Sequence, residues 1–215
     1  MLTKPFIILG AGGHAAVIHD LLDCLGHEVA GVMTPEFAAG SHWQGLPVLG
    51  NDDFLDQPSA ANYVYALGVG LMPNQARLRS KLFAALMTKG LDVPTLIHPS
   101  AVVAHSVRLG QGVQILAGVV VQVQAVIGDN ALINTRASVD HHCAIGAHSH
   151  VAPGAVLCGG VRTGDSVFVG AGATVIQGLE IGSRAEVGAG ATLLRSLPAD
   201  TRFIPGRPHQ GIKEK

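Results

Sequence analysis

The stretch VQVQAV IGDNAL INTRAS VDHHCA IGAHSH VAPGAV, residues 121–156, repeats its hydrophobic pattern every six residues. The same frame runs from Ile97 to Pro198, and every hexad except the one beginning at Thr163 opens with an aliphatic residue. From Ala101 to Ala191 the fifth place holds Ala, Val, Cys or Ser, with Leu179 as the large exception. A period of six fits neither a half-buried strand nor an amphipathic helix. It predicts a parallel β-helix in which three short strands and three tight turns make one coil.

The hexad frame also assigns a direction to each side chain. The first and fifth places point inward, where a large aliphatic residue stacks on its counterpart one coil away and the fifth residue must be small. A β-sandwich would need the same spacing to arise by coincidence along the whole stretch, which makes it a poor alternative.

Four histidines fall within ten residues of this stretch, and none occupies an inward place. His141 is third in its hexad, His142 and His148 are fourth, and His150 is sixth. None is therefore expected in the core, and no histidine is expected directly above or below another. A zinc site needs three or four ligands on one ion, so we expect no metal within one prism. A solvated polar strip is the simplest interpretation of His142 and His148.

Residues 1 to about 92 follow a different pattern and predict a small α/β domain ahead of a β-helix domain, residues 93–215. The runs FIILG, EVAGVM and NYVYALGVG have the composition of buried strands. Two helical stretches alternate with them, which is typical of a small parallel sheet of the Rossmann-like class. The apolar faces that we predict for these helices consist of Val17, Ile18, Leu21, Leu22 and Leu25 in the first, and of Leu78, Leu82, Phe83 and Leu86 in the second.

A glycine-rich turn, GAGGHA, joins the first strand to the first helix. Gly10, Gly12 and Ala15 fit the pattern G-x-G-x-x-[GA], which lets a phosphate approach the backbone at a helix N-terminus. A tight strand–helix turn without a ligand is the plain alternative. A dinucleotide site would call for an acidic residue at the end of the second strand. Glu36 comes late, after a proline, so a nucleotide-linked ligand is favoured over NAD.

Composition excludes several other classes of partner. The formal net charge of −1 gives no electrostatic basis for binding nucleic acid or an anionic membrane. No apolar run approaches the roughly 18 residues of a membrane span, and the first residues are interpreted as a strand rather than a signal peptide. The three cysteines, Cys24, Cys143 and Cys158, fit no metal spacing and predict a reducing cytoplasm.

A small α/β domain that opens with GAGGHA and is followed by hexapeptide repeats resembles the bacterial nucleotide-sugar acetyltransferases. These are left-handed β-helix enzymes and include the GDP-perosamine and UDP-4-amino-sugar N-acetyltransferases, with the sialic acid O-acetyltransferases as cousins. The resemblance extends from Ile7 to the closing FIPGRPHQGI. It implies N-acetylation of the 4-amino group of a nucleotide-linked dideoxy sugar, with acetyl-CoA as co-substrate bound between the prisms of a homotrimer.

The resemblance also assigns roles to residues of this chain. His141 falls on the catalytic base and Asn134 on an active-site asparagine. His150 corresponds to a histidine near the acetyl group, and Gly159 to a glycine whose N–H faces the thioester carbonyl. In the front domain Gly12, Gly13 and His14 correspond to the turn that contacts phosphate and sugar.

A departure from the family pattern concerns the residue that supports the base. In UDP-sugar members a glutamate commonly follows the catalytic histidine, whereas this chain has His142 there, with Asp140 on the other side. The sequence favours direct attack of the amine on the thioester over a cysteine acyl-enzyme, because Cys143 occupies an inward place. A sugar O-acetyltransferase, a zinc hydratase on the same fold and a non-catalytic binding trimer stay open as alternatives.

Overall fold

The structure is a computed structural model, and it describes residues 4–70, 76–206 and 210–211. The chain divides into two compact units, the first ending at Pro94 and the second beginning at Thr95. No helix among the described residues has the length and apolar character needed to cross a membrane.

The first unit contains a five-stranded mixed sheet in the order β3-β4-β2-β1-β5. Its strands are β1 (Phe6–Leu9), β2 (Val29–Met33), β3 (His42–Trp43), β4 (Leu46–Gly50) and β5 (Val64–Leu67). The predicted parallel strands are confirmed as β1, β2 and β5, while β3 runs antiparallel to β4. Gln44 and Gly45 both have positive φ (48° and 83°), as two-residue hairpin turns require.

Helices α1 (Gly13–Cys24) and α2 (Ala76–Thr88) belong to this unit, together with short 3₁₀ helices at Asp52–Asp56 and Pro58–Asn62. The apolar faces predicted for the two α-helices are right in most places and wrong in two. Val17 is 43% exposed and Leu78 is 46% exposed. In α2 the buried positions are 79, 82, 83 and 86, which follow the i, i+3, i+4, i+7 rule of one helix face. The residue on that face at position 79 is an arginine.

The second unit is the predicted left-handed parallel β-helix, and we call its stack of coils the prism. Two-residue strands recur every six residues: β6 (Leu96–Ile97), β7 (Val102–Val103), β8 (Arg108–Leu109), β9 (Gln114–Ile115), β10 (Val120–Val121), β11 (Val126–Ile127), β12 (Leu132–Ile133), β13 (Ser138–Val139), β14 (Ala144–Ile145), β15 (His150–Val151), β16 (Val156–Leu157), β17 (Arg162–Thr163), β18 (Phe168–Val169), β19 (Thr174–Val175), β20 (Glu180–Ile181), β21 (Glu186–Val187) and β22 (Thr192–Leu193). Strands β23 (Thr201–Phe203) and β24 (Gln210–Gly211) follow the last coil.

Every third strand joins the same sheet, so the prism has three faces. Val121 pairs with Val139, and Val139 with Leu157, which is a step of one coil in parallel register. The first and fifth places of the hexads fill a continuous apolar interior, as predicted. The polar exceptions are satisfied inside it: Thr163 Oγ1 accepts the N–H of Gly146 at 3.0 Å, and Ser149 Oγ donates to the Gly164 carbonyl at 3.2 Å.

The fourth place of the hexads from 109 to 192 has a backbone requirement that the sequence reasoning missed. Residues at this place adopt left-handed φ values, and they are Gly112, Gly118, Gln124, Asn130, Arg136, His142, His148, Gly154, Gly160, Ser166, Gly172, Gly178, Arg184 and Gly190. A positive φ at the third residue of a turn is what a type II turn needs. The fourth place has no β-branched residue and is often glycine, and this pattern could have indicated the left-handed backbone from the sequence. His142 and His148, both with φ of 59°, are turn residues of this kind.

Candidate active site

His141 lies at the corner of the prism between strands β13 and β14. Its main chain is fixed on both sides, because its N–H donates to Asp140 Oδ1 at 2.7 Å and its carbonyl accepts the N–H of Gly160 at 2.8 Å. Its imidazole is exposed at the surface of this chain. The backbone is thus held rigidly while the ring is presented outward.

The His141 ring meets the ring of His142 edge to face, with Nδ1 of one 2.9 Å from Nδ1 of the other and the centroids 5.1 Å apart. One of these nitrogens must donate and the other accept. If Nδ1 of His141 carries the proton, its Nε2 has the free lone pair that a general base requires. The carboxylate of Asp140 engages the backbone of His141 rather than its ring, so the side chain that contacts the ring nitrogen is His142.

Gly159 lies one coil beyond His141 at the same corner, and the His141 ring occupies the space of its missing side chain. A Cβ added to Gly159 would lie 2.5 Å from Cε1 and 2.6 Å from Nε2 of His141. The carbonyl of Gly159 accepts the N–H of Gly178 at 3.0 Å. Among the described residues, no acceptor engages the N–H of Gly159. A main-chain donor therefore lies beside the imidazole.

Asn134 and His150 form a second pair, on the sheet of β12 and β15. Asn134 Oδ1 accepts the N–H of Thr135 at 2.7 Å, which fixes the orientation of the amide. Its Nδ2 consequently donates to Nε2 of His150 at 3.0 Å, so the proton of that imidazole lies on Nδ1. His150 also packs edge to face on Phe168, with centroids 5.3 Å apart, and is only 6% exposed.

As predicted, none of the four histidines belongs to the interior cluster of the prism, but one of them is buried. His150 points outward from the strand and is absent from the interior cluster, yet neighbouring side chains bury it. His148 contacts Nδ2 of Asn130 through its Nδ1 at 3.0 Å. Within the described part of the chain, the four histidines do not gather into a set of three metal ligands.

The structure thus brings together two pairs of predicted residues, His141 with Gly159 and Asn134 with His150. The side-chain hydrogen bonds of Asn134 lead to His150 and Thr135 rather than to His141. The two pairs belong to successive corners of the prism, separated along the chain by strand β13.

Cysteine chemistry has no support at this site. Cys143 is completely buried, and its thiol donates to the Cys158 carbonyl at 3.2 Å. Burial raises the pKa of the Cys143 thiol, which disfavours the reactive thiolate.

The sixth places of the hexads in the sheet that contains β13 carry no charge. Its exposed side is formed by Val102, Val120, Ser138, Val156, Thr174 and Thr192, and we call it the Val156 face. Val102 is 64% exposed and Val156 36% exposed in the single chain. Because β13 leads directly into the corner that carries His141, the ring lies at the border of this face.

Arg195 is a residue that the sequence reasoning did not select. It comes two residues after β22, a strand of the sheet that forms the Val156 face. It lies at the same corner as His141 and Gly159 and is exposed. Two coils at the usual strand spacing separate it from Gly159, which is roughly 10 Å. Counting in steps of eighteen residues along the hexad frame would have found it.

In the first unit, Gly12 and Gly13 open helix α1 at the carboxyl end of β1. Gly12 is the N-cap residue, no side chain caps the helix, and the first turn has no acidic residue. A Cβ at either glycine would meet no atom within 4 Å, so the approach to the helix N-terminus is open. His14 is half-buried next to this turn. Free N–H groups at a helix N-terminus favour an anion such as a phosphate.

Comparison with family models supports both units separately. Residues 5–86 match the PglD N-terminal domain, residues 124–159 match the bacterial transferase hexapeptide model, and residues 160–195 match the hexapeptide repeat of succinyl-transferase.

Solved structures and one characterised protein extend the similarity to most of the chain. A GDP-perosamine N-acetyltransferase from Caulobacter crescentus, a variant with a histidine replaced by alanine in complex with CoA and GDP-perosamine, is 38% identical. The match covers 97% of both chains with a TM-score of 0.87. The acetyltransferase domain of PglB from Neisseria gonorrhoeae, in complex with acetyl coenzyme A, is 32% identical over 97% of this chain and 98% of that one, with a TM-score of 0.86. The GDP-perosamine N-acetyltransferase of Escherichia coli O157:H7 is 29% identical over 170 residues, 76% of this chain and 74% of that protein.

Proposed function

The chain belongs to the hexapeptide-repeat sugar N-acetyltransferases that carry a PglD-type N-terminal domain, and we propose that it transfers the acetyl group of acetyl-CoA to the 4-amino group of GDP-perosamine. Its enzyme class, acetyl-CoA-dependent sugar N-acetyltransferase, is that of the relatives compared above. The choice of acceptor is supported by the 38% identity to a protein crystallised with CoA and GDP-perosamine. The observation that carries the mechanism is the His141 ring lying against Gly159 with its Nδ1 held by His142.

His141 is the general base of this proposal. Its Nδ1–H donates to Nδ1 of His142, which leaves the lone pair of Nε2 to take a proton from the attacking amine. The amine nitrogen forms a bond to the thioester carbon, and the proton it loses moves to Nε2 of His141. The C–S bond then breaks, and the sulfur of CoA leaves as a thiolate that accepts a proton. No covalent acyl-enzyme is needed in this sequence.

Gly159 stabilises the charge that develops on the thioester oxygen. Attack of the amine places a negative charge on that oxygen, and the N–H of Gly159 is a fixed donor beside the base. A main-chain donor in such a position stabilises the transition state more than the ground state. The absence of a side chain at Gly159 lets the base and the donor lie side by side.

Asn134 and His150 position the acetyl group. The Asn134 amide fixes the tautomer of His150 with its proton on Nδ1, and Phe168 fixes the plane of the ring. His150 is therefore a pre-oriented imidazole, 6% exposed and held by Asn134 and Phe168, against which the acetyl group packs.

The diphosphate of the nucleotide sugar binds at the N-terminus of α1. Gly12 and Gly13 form an open turn at a helix N-terminus that no side chain caps, with His14 directly after them, and such a turn is the environment a diphosphate requires. The cysteines are free thiols, and we place the reaction in the cytoplasm, as the sequence predicts.

A homotrimer completes this proposal. The Val156 face has exposed valines and no charge, and copies of this chain are the occupants that would cover it. Because His141 lies at the border of the face, trimer formation would enclose the exposed ring in a groove and exclude water from the reacting amine. Arg195 would line the same groove and suits the phosphates of CoA.

The test is CoA thiol release with GDP-perosamine, with a UDP-linked 4-amino sugar and with sialic acid, using the wild type, His141→Ala and His148→Ala. His148 is the control, since it is a turn histidine at a different corner. We expect turnover with GDP-perosamine and a loss of roughly 10²- to 10⁴-fold in kcat/KM for His141→Ala only. Turnover that survives in His141→Ala would reject His141 as the base, and turnover with the hydroxyl acceptor alone would reject the proposed reaction.

A further inference from the structure

Arg79 is a fully buried arginine that the mechanism above does not use. It lies in the first turns of α2 on the apolar face, with 0% of its surface exposed. Burial lowers the pKa of its guanidinium to about 9, so the group stays protonated at neutral pH. A charged side chain is rarely buried to this degree without a specific role for its hydrogen bonds.

The guanidinium binds the loop that leaves β5. Its Nη1 donates to the carbonyl of Val69 at 2.8 Å and approaches the carbonyl of Leu67 at 3.4 Å. Both acceptors are main-chain atoms, so the contact fixes the path of the loop rather than a side chain. Gly70 is the last residue of this loop that the structure describes.

This loop lies directly against the glycine-rich turn that opens α1. A Cβ at Gly10 would lie 3.0 Å from Cγ2 of Val69, and one at Gly70 would lie 3.6 Å from Cβ of His14. A Cβ at Gly68 would lie 2.8 Å from Cβ of Ala15. The loop therefore follows the turn along its length, and a displacement of the loop must displace the turn.

We infer that Arg79 is a positioning residue for the nucleotide sugar: it holds the Leu67–Gly70 loop against the Gly10–His14 turn and supplies a fixed positive charge behind it. This inference rests on the proposed function, because it needs the diphosphate at that turn. A cation one loop away from a diphosphate is shielded from solvent, so its charge is screened less than that of a surface arginine.

The experiment compares GDP binding and kinetics in Arg79→Met, Arg79→Lys and Arg77→Met. Arg77 is the matched control, because it is exposed and lies two residues earlier in the same helix. Methionine keeps much of the length without the charge. Lysine keeps the charge on a shorter side chain that lacks the guanidinium, whose Nη1 reaches both carbonyls. GDP affinity is measured by calorimetry on folded protein, and KM is measured separately for GDP-perosamine and acetyl-CoA.

We expect Arg79→Met to weaken GDP binding and raise the KM for GDP-perosamine on the order of tenfold. The KM for acetyl-CoA stays unchanged, Arg79→Lys falls between Met and wild type, and Arg77→Met behaves as wild type. A purely structural role would lower the melting temperature and the active fraction while leaving the GDP affinity of folded molecules unchanged.

Several results overturn the inference. Wild-type GDP affinity in Arg79→Lys overturns the loop-holding role whatever the Met variant does, and a Met variant that folds and binds GDP normally overturns the inference as a whole. If Arg79→Met does not fold, the inference is tested by the GDP affinity of Arg79→Lys and by hydrogen exchange of the wild type. The peptides containing the loop and the turn must both gain protection when GDP binds, and a loop that gains none overturns the role. A wild type that binds neither GDP nor UDP refutes the proposed function and with it this inference.

Discussion

Gly159→Ala adds one methyl group at the point where His141 packs, and it tests the active-site geometry directly. The new Cβ would lie 2.5 Å from Cε1 and 2.6 Å from Nε2 of the His141 ring. Carbon atoms in contact prefer about 3.5–4.0 Å, so the ring must move by roughly 1 Å. A displacement of about 1 Å at a reacting centre costs on the order of 10²-fold in rate, which corresponds to about 2.7 kcal/mol.

The same substitution should leave the fold intact. The φ of Gly159 lies outside the left-handed region, so alanine adopts the backbone conformation without strain. The ring of His141 is exposed and can turn toward solvent instead of pressing on the core. Replacing glycine by alanine at a compatible place changes the free energy of unfolding by only about 1 kcal/mol or less. We therefore expect a large loss of activity with almost no loss of stability.

The assay is kcat/KM from CoA thiol release, with Gly160→Asn as the control. Gly160 follows directly, its Cβ would meet nothing closer than 3.9 Å, and Asn130 already occupies the same left-handed turn place. In a His141→Ala background, Gly159→Ala has no ring to displace and should cost nothing further. An equal loss in both backgrounds would refute the reasoning, because the methyl group would then act on the substrate and not on the base.

Three further predictions concern the base support, the CoA groove and the trimer. His142→Gly, in which glycine suits the left-handed turn, should lower kcat/KM by about 10- to 100-fold with both KM values unchanged. His142→Asn, whose amide oxygen can accept from Nδ1 of His141, should restore most of the lost kcat/KM. An unaffected Gly variant would contradict the support role of His142. Arg195→Ala should raise the KM for acetyl-CoA about tenfold and leave that for the sugar nucleotide unchanged, whereas Arg162→Ala, on another sheet, should do neither. Val156→Lys should convert the proposed trimer to monomer in light scattering, while Val126→Lys, at the corresponding place of the prism sheet that contains β11, should not. A Val156→Lys trimer would count against the face as the interface.

The prism was predictable because its interior depends on side-chain size at fixed intervals, and such a pattern is visible in one dimension. The eighteen-residue coil places Gly159 next to His141 and Phe168 next to His150, and the structure shows both contacts. The hexad frame did not indicate that His150 is buried, since exposure of an outward residue depends on side chains from other coils. It also left open which neighbour supports the His141 ring, because strand alternation does not apply in a turn, where His142 has a φ of 59°.

Position 79 illustrates why the first unit was less predictable than the prism. Hydrophobicity alone predicts that Leu78 rather than Arg79 lies on the buried face of α2. The spacing of Leu82, Phe83 and Leu86 selects 79 instead, and the loop after β5 supplies the carbonyls that make a buried guanidinium tolerable. Long-range acceptors of this kind leave no trace in the local sequence.

The third and fourth places at the corner that carries His141 meet two different requirements. From 112 to 190 the fourth place has a left-handed backbone, and the chain uses glycine, asparagine, glutamine, serine, arginine or histidine there. The third place has no such constraint, so its side chain is free to serve chemistry: a histidine at 141, no side chain at 159 and an arginine at 195. His142 meets the backbone requirement of the fourth place and at the same time brings its Nδ1 to 2.9 Å from that of His141. On the proposed mechanism this corner holds a base, the partner of that base, a main-chain donor and a cation, because each coil adds one third-place residue there without disturbing the interior that stacks behind it.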